Sequence, residues 1–186
     1  MFDYRGFDTL GEEFILFLAA MGVALLLREH GAEEARKRRD PVESDPVSLL
    51  GLLMVPATVL LGLWLVAFGY VTPGGGFQGG VALAGGLVLV WVAGAYRAFL
   101  RASPKALVDL AGGTGAGSYV AVGLAALISG LPFLHNLLGL GVTGTIWSGG
   151  TIGLLNWGAA LEVAAANVLL YQEFLEEYAI VAGRRE

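Results

Sequence analysis

The run Val47–Val71, VSLLGLLMVPATVLLGLWLVAFGYV, decides how the rest of the chain is read. It carries no charged side chain and is longer than the ~20 apolar residues that cross a bilayer as a helix. Pro56 falls inside it, where a missing N–H predicts a kink. Working outward, four more apolar runs have similar character. The first is Leu10–Leu27, ending at Arg28. Another begins within Phe77–Val81 and continues to about Leu100. A fourth is firm over Tyr119–Leu134, while Gly112–Gly117 is too glycine-rich to place. The last is Ile152–Leu170, followed by an acidic tail, Glu173–Glu177. The fold class expected is all-α: a polytopic membrane protein of about five transmembrane helices.

Composition agrees. The 186 residues are 56% hydrophobic and 15% charged, where a soluble domain carries about a quarter charged residues. Mean hydropathy is +0.70. A net charge of −5 argues against a nucleic-acid partner, which would need a basic stripe. With no cysteine there is no disulfide framework, no thiolate zinc site and no cysteine-ligated cluster. His30 and His135 are far apart in sequence, so neither a metal site nor a cofactor is expected. Chemistry must then come from carboxylates and backbone. The first residues hold Asp3, Asp8, Glu12 and Glu13 against Arg5, unlike the basic opening of a secretory signal, and the first run is expected to persist as a span.

Lysine and arginine alternate between connections. Arg28, Arg36, Lys37, Arg38 and Arg39 follow the first span, Arg97, Arg101 and Lys105 the third, and Arg184 and Arg185 the fifth. The connections after the second and fourth spans have none. By the positive-inside rule the N-terminus lies outside and the C-terminus in the cytoplasm. Three segments follow: a first transmembrane helix (1–28), a charged cytoplasmic linker (29–46) and a four-helix membrane domain (47–186). In the linker, Glu33/Lys37 and Glu34/Arg38 are i,i+4 pairs suited to a short solvated helix. Among 29 glycines, Gly80/Ala84 and Ala82/Gly86 have the small-xxx-small spacing that lets helices approach closely in lipid. A short chain with such faces is expected in a larger assembly.

Three features carry possible chemistry. Glu162 stands mid-span, flanked by Gly158, Ala159, Ala165 and Ala166; an ionisable group at that depth costs roughly 2.5–3.5 kcal/mol on insertion scales. It either relays protons or locks its helix to a neighbour by a hydrogen bond. Asn156 and Asn167 share a different face, suited to interhelical hydrogen bonding. In Arg5-Gly6-Phe7-Asp8-Thr9-Leu10-Gly11-Glu12, Asp8 and Glu12 are i,i+4 and would share a helix face, passing on a cation or proton. Alternatively Thr9-x-x-Glu12 is a capping box. In Thr72-Pro73-Gly74-Gly75-Gly76-Phe77-Gln78-Gly79-Gly80, the glycine run predicts a tight re-entry between spans, without the lysine and hydroxyl of a phosphate loop.

Pro73–Gly80 also resembles the signature of the B-type (MnhB-domain) subunit of Mrp-type multisubunit cation/proton antiporters, a component shared with gas-evolving hydrogenases and sulfur reductases. Gly149-Gly150 and the span with Asn156 fit the same domain, so the resemblance covers about Pro46–Tyr171. Arg5–Glu12 is similar to the C-terminal end of the A-type subunit, or to the small E-like subunit of the hydrogenases. The resemblance implies a non-catalytic, multi-pass subunit in a prokaryotic plasma membrane, partnered by other subunits of an assembly exchanging Na⁺ for H⁺. A membrane-arm subunit of an ion-pumping hydrogenase or sulfur reductase is the alternative. The resemblance also shifts Glu12 from cap to ion site and gives weight to the loop Pro73, Gly74, Gly75, Gly76 and Phe77. It reaches no counterpart of Glu162.

Overall fold

The computed structural model describes residues 2–27, 44–146 and 148–183. Its helices are α1 (Phe2–Leu27), α2 (Asp45–Phe68), α3 (Gly76–Ala102), α4 (Lys105–Ile128) and α5 (Thr151–Gly183). Five helices among the described residues are long and apolar enough to cross a membrane, as expected. The two ion pairs anticipated in the linker lie outside the described residues.

Three spans differ in their limits from expectation. α1 starts at Phe2 rather than Leu10, so Thr9 is inside the helix and the capping-box reading of Thr9–Glu12 does not hold. The acidic start masks this helix in a hydropathy pattern. α4 runs unbroken through Gly112–Gly117 and stops at Ile128, leaving residues 129–134 outside it. Gly112 and Gly115 face α5: a Cβ at Gly115 would stand 2.5 Å from the Glu162 backbone nitrogen. A glycine costs a helix about 0.5–1 kcal/mol relative to Ala, which the close approach in lipid offsets. The acidic segment after the fifth run is not a separate tail but part of α5.

α5 is the pillar of the bundle. It contacts all four other helices, and 61% of its span is buried against 33% or less elsewhere. The small-residue faces of α3 are divided between neighbours. Gly80 meets Ala160 and Val163 of α5, and Gly86 meets Val59 of α2. α2 turns Leu52, Leu53, Leu60 and Trp64 outward, an apolar surface matched to lipid or to other transmembrane helices.

α5 is pinned at its start and again about two thirds of the way along. At its start, Asn136 Oδ1 accepts from the Thr151 amide (2.8 Å) and hydroxyl (3.0 Å), satisfying donors that a helix N-terminus leaves open. One turn on, the Gly76 amide donates to Asn156 Oδ1 at 3.1 Å. At the second point, Gln172 Nε2 donates to the Ser103 carbonyl at 2.6 Å, and the Lys105 ammonium lies 3.0 Å from Glu173. Asn156 is thus the interhelical hydrogen bonder expected. Asn167 is not, since its amide donates to the Val163 carbonyl of its own helix.

Candidate functional site

Glu162 has no exposed surface and sits where α4 crosses α5, held there by the absent side chain of Gly115. α1 brings a second carboxylate to it. Glu13 is 1% exposed and lies within electrostatic reach of Glu162. Gly6, Glu13 and Ala20 recur at seven-residue spacing and form the buried stripe of α1, which fixes the rotation that aims Glu13 inward. Among the described residues, none of the four carboxylate oxygens has a hydrogen-bond partner. Tyr119 of α4 is fully buried within electrostatic reach of Glu13.

Two desolvated carboxyl groups within electrostatic reach of each other would repel if both were ionised, and a proton or small cation held by them would relieve that repulsion. Beyond the pair, towards the Pro73 end, Tyr119, Leu155 and Ala159 form a buried apolar cluster covered by Leu10, Val122 and Leu134. On the opposite side a cavity of about 280 Å³ runs between α1, α4 and α5. Its walls include Ala20, Ala24, Gly112, Ala165 and Ala166. Glu162 lines one end, and Lys105, Asp109 and Glu173 line the other.

The remaining expected residues are placed elsewhere. Asp8 and Glu12 do share a face of α1, and it is an exposed face, so the structure does not bring them to Glu162. In the loop, Gly74 and Gly75 have φ of 147° and 140°, a region closed to other residues, and Gly76 opens α3. Phe77 is partly buried beside it. A Cβ at Gly76 would meet Ala159 Cβ at 2.5 Å, which is why the loop can lie directly on α5.

The profile of a family described as "Domain related to MnhB subunit of Na+/H+ antiporter" matches residues 46–169, about two thirds of the chain. The chain belongs to the MnhB-related family. An uncharacterized protein of Methanocaldococcus jannaschii is 31% identical over 98% of this MnhB-related chain and 71% of its own length. A Rhizobium meliloti protein, named a probable K(+)/H(+) antiporter component of combined A/B type, is 33% identical over 51% of the chain, but that match spans only 12% of the rhizobial protein. Among solved structures, a chain of the membrane-bound sulfane sulfur reductase, an archaeal respiratory membrane complex, superposes with a TM-score of 0.74 and 28% identity. It covers 94% of this chain and 75% of its counterpart.

Sequence reasoning missed Glu13 and Tyr119. The signal for Glu13 was its seven-residue spacing from Gly6 and Ala20, small residues that mark the packed face of a membrane helix.

Proposed function

We propose that this MnhB-related chain is a non-catalytic subunit of a multisubunit monovalent cation/proton antiporter, with Glu13 and Glu162 on its ion path. The observation that carries this reading is the pair of buried carboxylates, one on α1 and one on α5, that lie within electrostatic reach of each other and have no hydrogen-bond partner among the described residues. Asp8 and Glu12, on the outer face of α1, belong in this reading to a continuation of the path towards a neighbouring subunit. The segment 1–28 acts as the counterpart of an A-type terminus joined to the B-type domain, a reading supported by a relative whose name joins A and B. The C-terminus and the linker face the cytoplasm.

The test is Na⁺- and K⁺-dependent proton movement in everted vesicles carrying the assembled complex. Exchange lost on deletion of this chain and restored by its return is expected. Unchanged exchange without it would defeat the proposal.

A second reading has its own observation, the likeness over nearly the whole chain to a subunit of a respiratory complex. There the same carboxylates serve a redox-driven pump whose electron chemistry is in other chains. Affinity purification separates the two: co-purifying iron–sulfur or nickel subunits support the redox-linked arm, and their replacement by antiporter components alone supports the first reading.

A further inference from the structure

We propose that the cavity between α1, α4 and α5 is a one-sided aqueous vestibule that delivers a small monovalent cation from the Lys105 end of the bundle to Glu162 and no further. This rests on the reading of Glu162 as part of an ion path and adds its direction of access.

The geometry of the three walls makes the vestibule. On α5, Glu162, Ala165, Ala166, Leu169 and Glu173 follow one another at three- and four-residue spacing, a single stripe roughly 16 Å long at ~1.5 Å per residue. α4 faces it with Lys105, Asp109 and Gly112, and α1 contributes no titratable group. Alanines and glycines leave room between the helices, and Phe17, Met21, Leu25 and Val108 complete the walls. A volume of about 280 Å³ corresponds to on the order of nine waters at ~30 Å³ each.

Polar groups at both ends decide what fills it. An apolar cavity stays dry, but here the inner end is lined by Glu162, fully buried and with both oxygens unpartnered. Those oxygens are closed to a water-sized probe at the end of the cavity, so a small shift of its walls is needed before water or a cation satisfies them, which an acyl chain cannot do. Electrostatics selects the sign: Asp109, Glu173 and Glu162 outnumber the single ammonium of Lys105, so the cavity favours cations over anions. Access then stops. Past the carboxylates lies the buried cluster of Tyr119, Leu155 and Ala159, which has Leu10 and Leu134 packed against it, and Leu134 also lies over Gly6 at the start of α1.

Because the chain has no cysteine, single thiols in it are unique reporters. Gly112 suits this purpose, since it lines the cavity and an added Cβ makes only an ordinary 3.5 Å contact with Ala165. Gly112→Cys and Leu155→Cys are placed in the assembled complex, with Arg101→Cys and Val142→Cys marking the two membrane faces. Cationic and anionic methanethiosulfonates are applied to vesicles of either orientation.

The expected result is modification of Gly112→Cys at least tenfold faster from the Arg101 face, faster with the cationic reagent, and no modification of Leu155→Cys. The charge preference should shrink in Glu162→Gln. Added Na⁺ that slows the cationic reagent at fixed pH names a sodium ion as the occupant; a Na⁺-independent rate whose pH response, corrected for thiol ionisation with the anionic reagent, disappears in Glu162→Gln names a proton. Response to neither, an inert Gly112→Cys, or equal rates from both faces would overturn the vestibule. An inert thiol would mean that a partner helix or lipid fills the groove. None of these outcomes depends on transport, so the vestibule and the antiporter reading fail separately.

Discussion

Glu12 and Glu13 are consecutive on α1 yet stand in different surroundings: Glu13 is 1% exposed within electrostatic reach of Glu162, while Glu12 is exposed one turn from Asp8. The inward carboxylates should be indispensable. Glu13→Gln, Glu162→Gln and Glu162→Leu are each expected to lower exchange more than tenfold while the complex still assembles. With no hydrogen bond to break at either position among the described residues, replacement by a neutral or apolar side chain removes a desolvation cost instead of adding one. Transport normalised to assembled complex is the measurement. Normal exchange by Glu162→Gln alongside a defective Glu162→Leu would make Glu162 a helix lock.

For the outer face, Glu12→Gln should abolish exchange in the intact complex without loss of assembly, and Asp8→Asn should have a weaker effect. A capping role no longer competes, because α1 begins well before Thr9. Losing a carboxylate removes a cation ligand and a proton acceptor together. Full Na⁺/H⁺ exchange by Glu12→Gln would take this residue off the path.

Gly115→Ala tests the crossing of α4 and α5. The new methyl would stand 2.5 Å from the Glu162 nitrogen and 2.7 Å from the Gly158 carbonyl oxygen. Overpacking of this kind costs about 1–3 kcal/mol, so the purified complex should lose thermal stability and yield. Gly113→Ala is the control, since nothing lies within 4 Å of its added atom. Equal melting of the two variants would show that the helices can separate there freely.

The loop before α3 should be as demanding. Gly75→Val is expected to block assembly or transport, because a β-branched residue is excluded at a φ of 140°. Gly85→Ala, with open space around it, should behave as wild type. Comparable abundance and transport in both would mean that the loop relaxes to another backbone.

Orientation can be checked directly. Lys37→Cys should be shielded from an impermeant thiol reagent on intact cells, and Val142→Cys should be labelled. The reverse pattern would invert the assignment of both termini.

The length of the apolar runs made the five spans legible, because bilayer thickness imposes a requirement that few soluble sequences meet. The glycine run of α4 was not legible. In water such a run breaks a helix, and only the presence of α5 against Gly115 turns it into a packing surface. The choice between Glu12 and Glu13 depends on how α1 is rotated, which its neighbours set. Glu162 was visible alone as an ionisable residue in an apolar span, but its partner on another helix was not. The cavity was hidden for a related reason: it is made by small residues from three helices, none of which is unusual by itself.

The hydrogen bonds at Asn156 and Gln172 grip α5 at two points about 24 Å apart along its axis. A rod clamped at two points on either side of Glu162 neither slides nor turns readily, so Glu162 is the stationary member of the pair. α1 meets the bundle chiefly along α5 and more lightly along α4, and it carries Glu13. Any stroke that separates or joins the two carboxylates is therefore a rocking of α1 against a fixed post.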